Sequence, residues 1–362
     1  MGFFKSIKLY NFRNFDKFSI DFSKNCNVFY GNNGSGKTNL LEAISLFSKG
    51  RGLRKDKISN FIKHDCEEFQ INSEFCNSEI IYNLFSGSKI YNNKPKKIIS
   101  VNNDKTKETL ENIYNLLPFL FFVPDFERLF VSSPSNRRNF IDQFIFSYDS
   151  SYNKLINQYN KFIQERSNLL LNNKLDEIWL EQLEKKISEY GIKIYRSRAN
   201  LLSSLIENLN IYLRSFNLNN VINVKLNDSF YEKHIDLNKF QAELKKNRTI
   251  DSYTGGSKIG PHKSDFIFFL NKDYLVSQLS TGQQKTLILL IYLSHCKFII
   301  DVKKKQPILL LDEICSHLDD INRKILLTLV ESFDLQIFMT GTNQNLFSFL
   351  STNTNFCNIK IR

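Results

Sequence analysis

The chain has 362 residues, of which 42% are hydrophobic and 33 are phenylalanine, enough for a sizeable core and two or three domains. No apolar run approaches the roughly 18 residues of a membrane span, and the six cysteines lack C-x-x-C spacing, which predicts a cytoplasmic protein with reduced thiols, no cysteine metal site and no membrane contact. A formal net charge of +12 favours a polyanionic partner such as nucleic acid.

The first part of the chain predicts a β-rich region. Alternating FFKSIKLYNF and FSIDF indicate a hairpin, and the apolar run CNVFY indicates a third strand. A glycine-rich loop and a helix over TNLLEAISLF follow. Residues 69–101 alternate weakly between turn-forming breaks and predict further antiparallel strands. The glycine-rich loop therefore lies between a strand and a helix.

The middle of the chain predicts an antiparallel helical arm. Between about Arg138 and Leu213 there is almost no Gly or Pro, and apolar residues recur three and four apart, as in a long amphipathic helix. Asn172 and Asn173 break the pattern, and a second helix begins near Asp176. Two helices joined by a short turn pack antiparallel, each about 50 Å long at most.

The last part returns to alternating strands and helices. VINVKL and SDFIFFL predict strands on either side of the Gly-rich TGGSKIGPH. A helix over 279–300, a strand at PILLLD, a helix from about Asp320 and a strand at QIFMT then follow.

GNNGSGKT fits the phosphate-binding pattern G-x-x-x-x-G-K-[ST], with a strand before it and a helix after it. Its glycines let backbone N–H groups surround phosphate oxygens, its lysine supplies positive charge, and its threonine hydroxyl can ligate Mg²⁺. A glycine turn with a chance lysine is the alternative, which the flanking elements disfavour. The predicted ATP-binding residues are Gly31, Asn32, Asn33, Gly34, Ser35, Gly36, Lys37 and Thr38.

ILLLDE, residues Ile308 to Glu313, is an apolar strand that ends in two carboxylates. Its end lies at the same sheet edge as the glycine-rich loop, so Asp312 is predicted to hold Mg²⁺ with Thr38. Glu313 is predicted to orient or deprotonate the attacking water, with Lys37 as the second catalytic residue. Simple capping of the next helix is the alternative for the two carboxylates.

LSTGQQK begins the predicted 279–300 helix, with Ser280 placed as an N-cap. Ser280, Gly282 and Gln283 also resemble the signature motif of ABC-type ATPases, and SHLD, residues Ser316 to Asp319, resembles their D-loop. The resemblance implies that these residues contact the γ-phosphate of ATP bound to a second copy, forming an ATP-dependent homodimer. Ordinary helix capping is the alternative.

Two features argue against a transporter subunit of that superfamily. About 240 residues separate Lys37 from Ser280, far more than in the transporter ATPases. Thr342 and Asn343 also occupy the region where transporter subunits carry a switch histidine.

Seven motifs, in order along nearly the whole chain, resemble those of the RecF family, recombination mediators related to the heads of SMC and Rad50 proteins. They are LYNFRNF, GRGLRKDK, FVPDFERLFVSSPSNRRNFID, ERSNLL, IGPHKSD, LSTGQQK and PILLLDEICSHLD. Three positions depart from the family pattern: Lys263 replaces an arginine, Ser133 a glycine and Ser264 an acidic residue. Lysine cannot make the forked contact of arginine, so the role of Lys263 is open.

With the predicted elements, the resemblance implies an α/β fold. Residues 1–115 and 255–362 would form an ABC-type P-loop ATPase head, and residues 116–254 an inserted helical lobe. It also implies ATP and Mg²⁺ as cofactors, slow hydrolysis, and binding to DNA at single-strand gaps and junctions with duplex. RecR and RecO partners, RecA loading and the SOS response follow from the same resemblance. An SMC-like structural head, disfavoured by the short arm, and an ATP-binding module without DNA are the alternatives.

The basic segment GRGLRKDK follows the P-loop helix. The predicted DNA-binding residues are Arg51, Arg54, Lys55 and Lys57, which we call the 51–57 cluster. A run of charges is commonly just a solvated face, which is the alternative.

Arg137 and Arg138 open the first arm helix, where cations oppose the helix dipole. They are predicted to anchor the arm to an acidic residue of the head or to contact DNA or nucleotide.

Overall fold

The computed structural model describes residues 2–91, 94–171, 176–218, 220–228, 230, 236–315, 318–350 and 354–360. The chain forms two compact units. The first consists of Met1–Glu127 and Lys285–Arg362, and the second of Arg128–Gln284. The functional division predicted from the sequence, a head of 1–115 with 255–362 and a lobe of 116–254, stays a prediction.

The described strands and helices are numbered in chain order. The strands are β1 (Gly2–Phe12), β2 (Phe15–Asp21), β3 (Cys26–Tyr30), β4 (Gln70–Asn77), β5 (Ile80–Tyr91), β6 (Lys94–Val101), β7 (Phe119–Phe122), β8 (Ile222–Asn227), β9 (Asp265–Leu270), β10 (Tyr274–Leu275), β11 (Ile308–Leu311), β12 (Ile337–Gly341) and β13 (Asn355–Asn358). The helices are α1 (Lys37–Ser45), α2 (Lys107–Leu116), α3 (Pro134–Tyr148), α4 (Tyr152–Leu171), α5 (Glu177–Ser215), α6 (Leu237–Lys246), α7 (Arg248–Thr254), α8 (Thr281–Asp301) and α9 (Asp320–Glu331).

The first unit contains two five-stranded sheets. One is parallel in the order β13-β3-β12-β11-β7, and the other is antiparallel in the order β2-β1-β4-β5-β6. Strands β11 and β12 are buried at every position, as expected for a parallel sheet covered on both faces. The predicted N-terminal hairpin, the strands within 69–101 and the strands at CNVFY, PILLLD and QIFMT are confirmed. The short edge strands β7 and β13 were not predicted.

Helix α1 joins the two sheets into one core. Its residues Leu40, Leu41, Ala43 and Ile44 are fully buried among the aromatic side chains of both sheets. Because β3 ends at Tyr30 and α1 begins at Lys37, the glycine-rich loop lies at the carboxyl edge of the parallel sheet, where ligands of such sheets bind.

The second unit contains α3 to α7 and the small antiparallel sheet β10-β9-β8. Side-chain pairs show that α4 and α5 run antiparallel: Phe162 contacts Tyr190, and Arg166 contacts Glu184. The predicted arm is therefore present. The break at Asn172 and Asn173 lies outside the described residues. Helix α5 has 39 residues, about 58 Å, which is longer than the expected maximum of about 50 Å.

The predicted first arm helix is in fact two helices, α3 and α4. Asp149 ends α3, and its carboxylate accepts hydrogen bonds from the backbone N–H and the hydroxyl of Ser151. Such a local side-chain turn competes with the helix for its backbone donors. The apolar spacing continues across the turn, so periodicity alone does not reveal the break.

Helix α3 is tied to the β9 region by its two arginines. The Arg137 guanidinium makes a two-point contact with the Asp265 carboxylate, with both N–O distances 2.8 Å. Arg138 donates to the Ser264 carbonyl at 2.7 Å. Of the roles predicted for Arg137 and Arg138, the structure shows one: Arg137 pairs with an acidic residue, Asp265. Both residues lie in the second compact unit.

Two of the departures from the family pattern have local explanations. Ser133 is the N-cap of α3, and its hydroxyl accepts a hydrogen bond from the Asn136 N–H. Ser264 is fully buried and donates to the Asp228 carboxylate at 2.6 Å. A second carboxylate at position 264 would face Asp228 in a buried position, so a hydroxyl fits this chain.

Candidate nucleotide-binding site

The glycine-rich loop has backbone conformations that other residues rarely adopt. Gly31, Gly34 and Gly36 have φ angles of 149°, 81° and 96°. A side chain at Gly36 would lie 2.7 Å from both the Asn14 amide and the Phe15 ring, whereas the space beside Gly34 is open. Because the loop lacks side chains at these points, its backbone N–H groups are available to a phosphate.

The ammonium group of Lys37 is held inside the loop. Its Nζ donates to the carbonyls of Gly31 and Asn32, each at 2.8 Å. Burial lowers the pKa of Lys37, while the nearby carboxylates of Glu313 and Asp312 act in the opposite direction. A buried cation bonded to loop carbonyls is suited to an anionic ligand in the loop.

Thr38 and Asp312 come together at the end of the parallel sheet. The Thr38 hydroxyl donates to Asp312 Oδ1 at 2.9 Å, although the two residues are 274 positions apart. The pair supplies the kind of oxygen ligands that Mg²⁺ takes alongside phosphate oxygens. Within the described chain, no group of three or more His, Cys, Asp or Glu residues is placed to hold a metal ion. Thr38 and Asp312 would supply two oxygen ligands to a Mg²⁺ that also binds phosphate oxygens of its nucleotide.

Thr340, at the end of β12, holds both acidic residues and was not predicted. Its hydroxyl donates to Asp312 Oδ1 at 2.7 Å and accepts a hydrogen bond from the Glu313 N–H at 2.8 Å. Glu313 is exposed and has a φ of 51°, an uncommon conformation for a residue with a side chain. The sequence signal was a hydroxyl at the end of a buried strand that pairs with β11.

The predicted signature residues Ser280, Gly282 and Gln283 are exposed and lie in the second unit. Ser280 caps α8 as predicted: its hydroxyl accepts a hydrogen bond from the Gln283 N–H, and the Gln283 side-chain oxygen accepts one from the Ser280 N–H. A Cβ added at Gly282 would meet no atom within 4 Å, so packing within the chain does not require this glycine.

The predicted D-loop, Ser316 to Asp319, is described only in part. Ser316 and His317 lie outside the described residues. The Asp319 carboxylate caps α9 by accepting a hydrogen bond from the Asn322 N–H at 2.8 Å.

Comparisons with known proteins identify the family of the chain. A family model described as an AAA ATPase domain matches residues 3–332. The DNA replication and repair protein RecF of Rickettsia akari is 30% identical over 347 residues, which cover 94% of each chain. The chain belongs to the RecF family. A solved structure of the recombination mediator protein RecF with ATP, from the RecFOR pathway, is 32% identical, has a TM-score of 0.81 and covers 95% of this chain and 92% of its own.

The RecF-family fold is shared with the heads of SMC proteins. An Smc head domain of Pyrococcus furiosus with an extended coiled coil is 18% identical, with a TM-score of 0.57, and covers 100% of this chain and 94% of its own. The predicted α/β ATPase-head fold with a helical insertion is confirmed. No described helix is long and apolar enough to cross a membrane.

The predicted 51–57 cluster of this RecF-family chain lies in a surface loop a few residues after α1. Arg51, Arg54, Lys55 and Lys57 are all exposed, whereas Leu53 between them is buried. The Leu53 N–H donates to the Ser45 hydroxyl of α1 at 2.8 Å. The contact between Leu53 and Ser45 therefore holds the loop, with its exposed cations, against helix α1.

Arg13 and Asn14, in the turn between β1 and β2, were also missed as site residues. Arg13 contacts the buried Glu42 of α1 and Asp56 of the basic segment, both at 2.8 Å. Asn14 accepts a hydrogen bond from the Asn39 side chain at 2.7 Å, and its own amide nitrogen is buried without a partner in the described chain. Both belong to the family motif LYNFRNF, which was the available signal.

Proposed function

We propose that this protein is an ATP-switched DNA-binding protein of recombinational repair and replication-fork maintenance, acting in the cytoplasm. It binds ATP with Mg²⁺, forms a homodimer on ATP, and hydrolyses ATP slowly. It binds DNA at single-strand gaps and at junctions of single strand with duplex, and works with RecR and RecO proteins to support RecA loading and the SOS response. The observation that carries the proposal is the buried Lys37 ammonium beside the Thr38–Asp312 pair.

The loop residues bind the phosphates of ATP. Backbone N–H groups from Gly31 to Thr38 and the Lys37 ammonium neutralise the β- and γ-phosphate oxygens. Thr38 and Asp312 would hold Mg²⁺, which supplies further positive charge to the phosphate oxygens. The Glu313 carboxylate accepts a proton from the attacking water, and Thr340 fixes the backbone from which that carboxylate projects.

The exposed start of α8 contacts ATP held by a second copy. A capped helix N-terminus presents N–H groups and the positive end of the helix dipole to an anion. Ser280 and Gly282 are exposed there, and the open space beside Gly282 leaves room for a phosphate. ATP thus joins two copies, and its hydrolysis separates them.

The DNA partner is supported by charge. The net charge of +12 and the exposed 51–57 cluster suit a sequence-independent contact with the phosphate backbone. Because the loop is anchored to α1 through Leu53 and Ser45, the DNA contact and the nucleotide loop share one helix.

The experiment measures the affinity of the Glu313→Gln protein for a fluorescent gapped duplex, by anisotropy, with and without Mg-ATP across a salt series. The substitution slows hydrolysis and retains ATP, so affinity is expected to rise with ATP and to fall steeply with salt. Lys37→Ala is the matched control, and its DNA affinity should not respond to ATP. ATP binding without any effect on DNA would disprove the DNA-switch proposal and favour an ATP-binding module that acts on protein partners.

A further inference from the structure

The second compact unit contains a small pocket that the proposed ATP and DNA contacts do not use. It has a volume of about 130 Å³ and is lined by residues of α3, α4 and α5 and of the turn that contains Pro261 and His262. The family motifs that contain RRNFID and IGPHKSD both contribute to it. Pockets for drug-sized ligands measure about 300–1,000 Å³, so this one suits a small chemical group and not a whole nucleotide.

Arg138 is a cation of this pocket that no described carboxylate pairs. The Asp142 carboxylate is held by the Arg198 guanidinium at two points, with N–O distances of 2.9 and 2.8 Å. Asp265 is held in the same way by Arg137. Among the described residues, the only acceptor for Arg138 is a backbone carbonyl at 2.7 Å, which leaves four of its five N–H donors without a protein partner. A partly buried cation in this state favours an anion as its partner.

Two amide side chains line the pocket together with Arg138. Asn139 follows it on α3, and Asn160 comes from α4. Both are exposed, and neither side chain is hydrogen-bonded to another residue in the part of the chain that the structure describes. Each amide offers two further N–H donors. A tetrahedral oxyanion can accept from more donors than a carboxylate can, because it has four oxygens in place of two.

The His262 ring lines the pocket without adding charge. Burial lowers the pKa of His262 to about 4, and the positive charges of Lys263 and Arg138 act in the same direction. The two ring nitrogens are bonded to the Tyr159 hydroxyl and the Ser257 carbonyl. The unpaired charge that the lining residues offer to a ligand is therefore that of Arg138.

We propose that this pocket binds a phosphate group through Arg138, Asn139 and Asn160. The volume selects a small group, the unpaired guanidinium selects an anion, and the number of free donors favours phosphate over a carboxylate. The inference does not rest on the proposed function, because its residues lie within 138–262 and belong to neither the ATP contacts nor the 51–57 cluster. A free phosphate ion and the phosphate of a small monoester share this chemistry, and the experiment distinguishes them.

Isothermal titration of inorganic phosphate into the full-length Lys37→Ala protein tests the pocket. This background removes the cation of the glycine-rich loop, which is the competing phosphate site. Binding of one phosphate per chain is expected. Arg138→Gln in the same background should weaken it by about 10- to 100-fold, because the guanidinium supplies the charge-assisted hydrogen bonds. Arg138→Lys keeps the charge but not the forked donors, so it should weaken binding less than Arg138→Gln.

A second variant tests the pocket while Arg138 stays in place. Asn160→Leu replaces an exposed amide donor with an apolar side chain and should weaken phosphate binding by about tenfold. Lys185→Gln removes an exposed cation from α5 in the same unit, and its phosphate affinity and melting temperature should match the background protein. Equal affinities in Arg138→Gln, Asn160→Leu and Lys185→Gln would overturn the inference. The absence of saturable binding at millimolar phosphate would also overturn it.

Two further titrations identify the ligand. Methyl phosphate that binds as tightly as inorganic phosphate would support the pocket as a site for a monoester, whereas exclusion of methyl phosphate would support a site for the free ion. Acetate tests the chemical class. If acetate binds as tightly as phosphate, the pocket accepts carboxylates and the phosphate assignment is wrong. The proposed function stands or falls separately, through the DNA-binding experiment with Glu313→Gln.

Discussion

At the scale of single residues, the hydroxyl of Thr340 organises both carboxylates of the candidate site. It donates to the carboxylate predicted to hold the metal and accepts from the backbone of the residue predicted to activate water. Asp312 Oδ1 receives a second hydrogen bond from Thr38, so the oxygen is oriented from two sides. Partners of a metal-binding carboxylate fix its direction and affect metal affinity.

Replacing Thr340 with valine removes this hydroxyl and nearly preserves the side-chain shape. The Mg²⁺ concentration for half-maximal ATP hydrolysis should rise by about 10- to 100-fold, because Asp312 loses a donor and Glu313 loses its backbone acceptor. A magnesium titration of steady-state hydrolysis measures the change. Thr340→Ser should retain the parent curve, and Thr328→Val, on the exposed part of α9, should do the same. An unchanged magnesium dependence in Thr340→Val would exclude this role.

His262 lies in the family motif IGPHKSD and is predicted to make stability depend on pH. In the neutral ring, Nε2 donates to the Ser257 carbonyl at 3.0 Å and Nδ1 accepts from the Tyr159 hydroxyl at 2.8 Å, so both ring nitrogens have partners without a charge. Burial lowers the pKa of His262 from 6.5 to about 4. Between these two values the unfolded chain binds a proton that the folded chain does not, so stability is lost as the pH falls from 6.5 towards 4.

The expected loss attributable to His262 is about 2 kcal/mol between pH 7.5 and pH 5, because each pKa unit corresponds to about 1.4 kcal/mol. Urea unfolding of the parent and of His262→Gln at the two pH values measures it, and the variant should lose less stability than the parent. His64 is exposed beside Asp65, so His64→Gln should lose as much as the parent. Equal losses in His262→Gln and the parent would contradict the assignment.

The residues of the candidate site differ in how far the sequence could predict them. The glycines, Lys37 and Thr38 are contiguous, and their local pattern carries the phosphate-binding geometry. Asp312 is distant in sequence but lies at the end of an apolar strand, a position that sheet topology brings to the same edge. Thr340, Arg13 and Asn14 act through pairings across strands and turns. The strand-end hydroxyl of Thr340 and the motif LYNFRNF mark these residues but do not specify their partners.

At the scale of elements, the antiparallel pair α4–α5 depends on a buried charge network as well as on apolar spacing. Arg166 is 1% exposed and contacts Glu184 at 3.0 Å, Asp251 at 2.7 Å and the Leu244 carbonyl at 2.7 Å. One guanidinium thus ties α4 to α5, α6 and α7. The periodicity of the sequence predicted the two helices, but the partners of Arg166 come from distant segments and could not be deduced from it.

Removing Arg166 is therefore expected to destabilise the second unit strongly. Arg166→Met leaves the buried Asp251 carboxylate without a cation, while Glu184 keeps Arg248, and breaking a buried pair in this way costs about 3–5 kcal/mol. The free energy of urea unfolding, followed by circular dichroism, measures the loss. Lys161→Met removes an exposed cation from the same helix, where it lies 3.7 Å from Glu165, and should cost about 0.5 kcal/mol or less. Similar losses in the two variants would show that the network contributes little.

At the scale of the whole molecule, the residues predicted to contact ATP and its metal are divided between the two compact units. Lys37, Thr38, Asp312 and Glu313 belong to the first unit, and the exposed signature residues Ser280, Gly282 and Gln283 belong to the second. If ATP joins two copies as proposed, each nucleotide is bound by the first unit of one chain and the second unit of its partner. A mutation in the first unit of one chain and a mutation in the second unit of its partner would then affect the same nucleotide site.

Mixing two inactive variants tests this arrangement. Lys37→Ala removes the phosphate-binding cation, and Gly282→Asp places a carboxylate in the open space beside the capped end of α8. Each variant alone should hydrolyse almost no ATP. In an equal mixture that pairs at random, half of the dimers are mixed and each has one intact site, so about a quarter of the parent activity should return.

The decisive control pairs Lys37→Ala with Glu313→Gln. Both substitutions lie in the first unit, so every site in a mixed dimer of these two variants carries one of the defects. No activity should return in that mixture, although the chains exchange partners just as freely. Recovery confined to the Lys37→Ala and Gly282→Asp mixture requires a site shared between two chains. Activity equal to the mean of the separate variants in both mixtures would place the whole site within one chain.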